Sequence, residues 1–210
     1  MTHAIRALIF DMDGTLYESD ALDAQYVEAV DGYIAERLGL SRKEARERFN
    51  AKRAELQKQL GHAPTTTGTM AALGFDLDEW IAWRDARLRP EDALDRDERL
   101  RSFLRKLKRC HVLAVVTNNS MEMARRTLAA IGIEDLFPHV FTIQDMGLIK
   151  PDPEIYRRAA EAIGAPPEQC LSIGDRPAID LEPAAAVGMK TFLAAGPRDI
   201  YKLREALETG

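Results

Sequence analysis

The chain has 210 residues and only two cysteines, Cys110 and Cys170. Each flanks an apolar run, which predicts buried thiols of a reducing compartment rather than a disulfide or a metal pair. No stretch approaches the roughly 20 apolar residues needed to cross a bilayer, so no membrane partner is expected. The N-terminus carries one Arg and no long apolar core, which predicts no signal peptide and a cytoplasmic location. Basic residues fall short of acidic ones, 29 against 34, for a net charge of −5. That balance disfavours nucleic acid as a partner, since binding a phosphate backbone normally needs a basic field. A small phosphorylated substrate stays open, because local charge at the site decides that. Internal repeats and low-complexity segments are also absent.

What is present is an ample core: 46% of residues are hydrophobic and 30% charged, as in a globular protein. The length suits one large domain or a core with a modest second module, as a monomer or a homodimer. Three short apolar runs read as buried parallel strands: Ile5 to Phe10, Val112 to Val116 and Cys170 to Ile173. Val140 to Ile143 and Lys190 to Leu193 are weaker candidates. Helical patterns separate them over Arg99 to Lys108, Met121 to Ile131, Glu154 to Ile163 and Asp180 to Val187. This alternation predicts a doubly wound α/β fold with a mainly parallel sheet.

Residues 17–89 break the alternation and show helical patterns only. Leu22, Tyr26, Ala29, Val30, Tyr33 and Leu38 recur at near-helical spacing, and Gly39 is a plausible stop. Ser41 with Glu44 is a capping-box signature for a second, highly charged helix running to Leu60. Thr65 to Leu73 and a segment capped by Asp76 complete the set. The expected organisation is therefore a core of residues 1–16 and 90–210 with an inserted helical cap domain at 17–89.

The chemistry-bearing residues fall just after the strands, where doubly wound sheets bind ligands. First comes Asp11-Met12-Asp13-Gly14-Thr15. Two carboxylates this close repel unless a cation or a proton lies between them, which suggests a metal site or an acid/base device. An EF-hand would need another Asp or Asn at the fifth position and Glu at the twelfth; Thr15 and Leu22 stand there, so that reading fails. Thr117-Asn118-Asn119-Ser120 precedes a helix and suits either a phosphate oxyanion or a plain N-cap. Lys150, in a Pro-rich turn, is either a surface lysine or an ammonium placed between carboxylate and phosphate. Asp175 and Asp180 could complete an oxygen cage for Mg²⁺, although Asp180 also suits the start of a helix.

Taken together, the order of acid pair, Thr, Lys and acid pair resembles the haloacid dehalogenase superfamily of phosphohydrolases, over residues 4–16 and 90–210. The resemblance implies that Asp11 is the nucleophile, forming an aspartyl-phosphate, and that Asp13 is the general acid and base. Thr117 and Asn118, with the Gly14 and Thr15 loop, would bind phosphoryl oxygens, and Lys150 would neutralise charge. Mg²⁺ would be held by Asp11, the Asp13 carbonyl and Asp175, with Asp180 acting through water or Lys150. True dehalogenases of the superfamily lack the second acid, so Asp13 argues for phosphate chemistry. A phosphonatase-like cap lysine is not evident, because Lys43, Lys52 and Lys58 all lie in the very polar second helix. The insert resembles the family's type 1 cap, and the Asp-x-Asp-Gly-Thr-Leu-Tyr wording resembles the pyrimidine 5′-nucleotidase-like branch. The expectation is a monoester phosphatase, with nucleoside 5′-monophosphates as candidate substrates. The alternatives are a phosphoglycolate or sugar-phosphate phosphatase, a phosphomutase, or a non-catalytic regulator keeping the fold.

Overall fold

The structure, a computed structural model, describes residues 4–209. It begins with β1 (Ala7–Phe10), buried along its whole length. Five helices follow: α1 (Asp20–Leu38), α2 (Arg42–Leu60), α3 (Thr66–Ala72), α4 (Leu77–Asp85) and the short α5 (Pro90–Ala93). Strands then alternate with helices, as α6 (Glu98–Leu107), β2 (Val112–Val116), α7 (Met121–Ala130), β3 (His139–Phe141), α8 (Ile143–Met146) and α9 (Glu154–Ile163). The chain closes with β4 (Cys170–Gly174), α10 (Glu182–Ala186), β5 (Lys190–Leu193) and α11 (Leu203–Thr209).

The five strands form one parallel sheet in the order β3-β2-β1-β4-β5. This is the doubly wound α/β core that the alternation predicts. From β1 the chain steps outward to β2 and β3, then returns across the sheet to β4 on the other side of β1. The strand order therefore reverses at β1, the position where such sheets bind ligands. Ile9 pairs level with Ala114 of β2 and Ser172 of β4. That register carries Asp11, Thr117 and Asp175 out together at the carboxyl edge. β1, β2 and β4 are apolar and nearly all buried, as strands covered on both faces must be.

The chain forms two compact units, divided after Glu18 and after Ala93. The inserted unit thus begins and ends slightly later than the expected limits at 16 and 89. Tyr17 still belongs with Asp13, to which its hydroxyl donates. At the other limit Pro90 opens α5, and Ser19 Oγ donates to the Ala93 carbonyl at 2.8 Å. Inside the insert, the Ser41–Glu44 capping box forms with both reciprocal bonds present. Tyr33 makes edge-to-face contacts with Phe75, Trp80 and Trp83, the aromatic centre of this unit.

Three expectations need correction. β3 covers His139–Phe141 rather than reaching Ile143, because Thr142 caps α8 and Ile143 is already helical. The helix expected from Asp180 is a π-helical turn at Pro177–Leu181 followed by α10. There the Glu182 N–H donates to the Pro177 carbonyl five residues back, and Pro183 has no N–H with which to continue an ordinary ladder. Cys110 is exposed while Cys170 is buried. It sits in the turn after α6, two residues before β2 begins, so the apolar run it flanks does not cover it.

Candidate active site

Asp11 extends the β1 ladder by one bond, its N–H donating to the Ile173 carbonyl at 2.8 Å. The chain then turns tightly, with the N–H groups of Thr15 and Leu16 both donating to the Met12 carbonyl. Gly14 sits in this turn at φ +83°, and a Cβ there would come within 2.8 Å of Asp175 Oδ2. Only glycine meets both demands, the left-handed backbone and the close approach of the carboxylate. Thr15 is fully buried, its hydroxyl 3.4 Å from Asp11 Oδ2.

Lys150 is buried to 1% exposure. Its ammonium donates to Asp11 Oδ1 and, at 2.7 Å, to Asp180 Oδ1. Burial alone would lower its pKa, but the Asp11 and Asp180 carboxylates outweigh that and hold it above the ordinary lysine range. Asn118 fixes the lysine's backbone from both sides: its Oδ1 accepts from the Lys150 N–H at 2.8 Å and its Nδ2 donates to the Lys150 carbonyl at 3.2 Å. The Asn118 amide, expected at phosphoryl oxygens, is thus engaged with the lysine turn, which leaves its backbone N–H for such a contact. Thr117 is buried at the end of β2, and its Oγ1 accepts from the Asn119 N–H at 3.1 Å.

Asp11, Asp175 and Asp180 bring carboxylate oxygens within 4.8 Å of one another. Burial raises the pKa of Asp175, and Asp180 adds to the rise. Asp175 Oδ1 is buried and accepts no hydrogen bond, while Arg176 Nε stands 4.0 Å from it. A buried carboxylate oxygen without a donor is costly unless a cation meets it. Three hard oxygen donors and one orphaned lone pair fit Mg²⁺ in character. Asp180 is more fully committed: Oδ1 receives Lys150 and Oδ2 receives the Arg176 N–H at 3.1 Å.

Asp13 is placed differently from Asp11. Its carboxyl is exposed and outside the acid cluster, with Oδ1 receiving the Tyr17 hydroxyl and Oδ2 the Asn119 amide at 2.9 Å. The two acids of the first motif therefore have distinct surroundings, one enclosed with a lysine and one open and held by neutral donors. Asn119 is a contact that motif reasoning missed, although it is the second Asn of the Thr-Asn-Asn-Ser run. Ser120 takes the plain N-cap role, accepting from the Met123 N–H at 3.0 Å.

A reversing parallel sheet with a lysine-bridged acid cluster at its switch point defines an α/β enzyme fold whose grouped carboxylates could hold a cation. The family model for haloacid dehalogenase-like hydrolases matches residues 5–188, and the chain belongs to that family. Among curated relatives, a glyceraldehyde 3-phosphate phosphatase of Pyrococcus furiosus is 30% identical over 91 residues, 43% of this chain and 38% of that protein. A glyceraldehyde 3-phosphate phosphatase of Methanopyrus kandleri is 27% identical over 199 residues, 89% of this chain and 82% of that protein. The chain spans about a third of the length of several curated relatives that it matches. The crystal structure of a HAD phosphatase from Thermococcus onnurineus shares the fold, with a TM-score of 0.63 at 22% identity over 97% of this chain and 98% of that one.

Proposed function

We propose that this protein is a Mg²⁺-dependent phosphomonoester hydrolase working through an aspartyl-phosphate on Asp11. The observation that carries the reading is the Asp11 carboxylate at the end of the central strand. It is ion-paired to a buried lysine and lies within 4.8 Å of two further acids. Asp11 attacks phosphorus and the bond to the ester oxygen breaks, with Asp13 giving that oxygen a proton. Water then attacks the same phosphorus, losing its proton to Asp13, and Asp11 departs as a carboxylate. The Thr117 hydroxyl orients the phosphoryl oxygens, the Gly14 and Thr15 N–H groups expected there being taken by the Tyr17 and Met12 carbonyls, while Tyr17 and Asn119 hold Asp13. Lys150 keeps its charge against Asp11 and offsets repulsion between nucleophile and substrate. Asp11, the Asp13 carbonyl and Asp175, with support from Asp180, would hold Mg²⁺, which would supply the remaining positive charge.

The substrate is a small phosphorylated metabolite. Nucleoside 5′-monophosphates are one class, suggested by the wording of the first motif. Short sugar phosphates are the second, favoured by the names of the two glyceraldehyde 3-phosphate phosphatase relatives. A phosphate-release screen over nucleotides, sugar phosphates and a generic aryl phosphate separates the classes. Release is expected to need Mg²⁺, stop with chelator and fall by at least about a thousandfold in Asp11→Asn. Metal-independent turnover, or an active Asp11→Asn protein, would sink the proposal.

A further inference from the structure

The turn between β2 and α7 carries two asparagines whose side chains serve different catalytic groups. Thr117 still belongs to the sheet, its N–H donating to the Phe141 carbonyl at 3.0 Å, and Ser120 already caps α7. Only Asn118 and Asn119 lie between. The Asn119 N–H donates to Thr117 Oγ1 at 3.1 Å, a local turn that fixes the backbone from which both side chains leave. The Asn118 amide meets both backbone polar groups of Lys150. Its Oδ1 accepts from the lysine N–H at 2.8 Å and its Nδ2 donates to the lysine carbonyl at 3.2 Å. Two bonds of opposite sense hold that residue as a neighbouring strand would. Lys150 needs such support, because it lies in a turn and its ammonium must reach Asp11 and Asp180 at once.

Asn119 reaches elsewhere. It is 4% exposed, and its Nδ2 donates to Asp13 Oδ2 at 2.9 Å. The Tyr17 hydroxyl donates to the other oxygen, Oδ1. The chain between is closed by a bridge pairing Asp13 with Tyr17, where the Gly14 N–H bonds the Tyr17 carbonyl at 3.0 Å. Asp13 is exposed, so these two donors, rather than packing, select its rotamer. We propose that Asn118 and Asn119 are positioning residues with separate duties. Asn118 aims Lys150 at Asp11 and so acts on the attack at phosphorus. Asn119, with Tyr17, aims Asp13 and so acts on the proton given to the leaving oxygen. The inference rests on the phosphatase reading of the site and assigns neither side chain a substrate contact.

A general acid must stand within hydrogen-bond reach of the ester oxygen, and a misplacement of about 1 Å can cost on the order of a hundredfold. Phenyl and nitrophenyl phosphate are alike in shape, but nitrophenolate leaves with little need of a proton. Variants of the full chain are compared with the unaltered protein, with Mg²⁺ present, by kcat/KM on both esters and by melting. Asn119→Ala and Tyr17→Phe should lose at least about tenfold on phenyl phosphate and less than about threefold on nitrophenyl phosphate. Asn118→Ala should lose about tenfold on both, because charge at the nucleophile matters to each. Each asparagine should also add nothing once its partner is gone: Asn118→Ala in a Lys150→Ala background, Asn119→Ala in Asp13→Asn. A lesion that merely loosens the fold would multiply in both double variants. Equal losses on the two esters in Asn119→Ala, unequal ones in Asn118→Ala, unaltered rates in either, or multiplying losses would overturn the proposal. If an alanine variant fails to fold, Asn118→Asp and Tyr17→Phe decide instead, each removing a single donor. An unaltered protein that cleaves neither ester defeats the phosphatase reading and this inference with it. An active one whose variants break these patterns defeats the inference alone.

Discussion

Asp11 pays for its position in ionisation. Burial pushes its carboxyl up to about 7, Lys150 pulls it down, and the negative charges of Asp180 and Asp13 push it up further. Its folded pKa thus lies above that of an unfolded aspartate. The stability it contributes is fully present below about pH 4 and is lost as pH climbs through about 7. On the proposed reading, Mg²⁺ would bind the ionised form and oppose that loss. In chelator, the melting temperature is expected to fall by a few degrees from pH 5 to pH 8. Saturating Mg²⁺ should then raise it more at pH 8 than at pH 6. An equal Mg²⁺ shift at both values would remove Asp11 from the metal site. Asp13, two residues on, is exposed and held by neutral donors. Two acids two residues apart thus meet different surroundings, because Asp11 still bonds along β4 while Asp13 lies beyond the turn.

At the scale of elements, local chemistry explains what was legible in the sequence. Ser41 and Glu44 sit where a helix must start, and their reciprocal bonds satisfy N–H groups that have no partner in the first turn. Replacing Ser41 by Ala should cost about 1 kcal/mol, seen as a melting temperature lower by about 2–4 °C. β2, β5 and α9 were readable to the residue, because apolar runs between turn residues specify them. The π-helical turn was not, since the 3.6-residue pattern of Asp180 to Val187 looks like any helix. Only the joint effect of two prolines, a bare Gly174 and the Ser172 bond distorts it. Likewise the four motifs were visible at Asp11, Thr117, Lys150 and Asp175. Sequence separation hid what joins them: Asn118 bracing Lys150 across 32 positions and Asn119 reaching Asp13 across 106. A serine inside an otherwise apolar strand was the one available hint of the hydroxyl that bonds the Asp180 carbonyl.

For the whole molecule, average charge proved a blunt guide. The net −5 conceals a segment from Arg99 to Arg109 with six basic residues and no acid. Part of that charge is used internally. Arg101 bonds the Gly132 carbonyl and Asp135, Lys108 bonds the Asp135 carbonyl, and Arg99 stacks over Tyr201. The segment ties α6 to the loops beside it. Among the described residues, no helix is long and apolar enough to cross a membrane. The inserted unit and the α/β unit each have their own buried centre.

The enclosed lysine has one further consequence, for reagents rather than substrates. Lys43 and Lys202 have side-chain exposures of 86% and 68%, against 1% for Lys150. An amine-acylating reagent should therefore modify Lys43 and Lys202 within minutes and leave Lys150 untouched in native protein. Its uptake of label, followed by peptide mass spectrometry, should track opening of the α/β unit and accelerate with denaturant. Lys150 is in effect a built-in clock for that opening, silent while the sheet edge is closed; labelling as fast as at Lys43 in native protein would show that the enclosure does not hold.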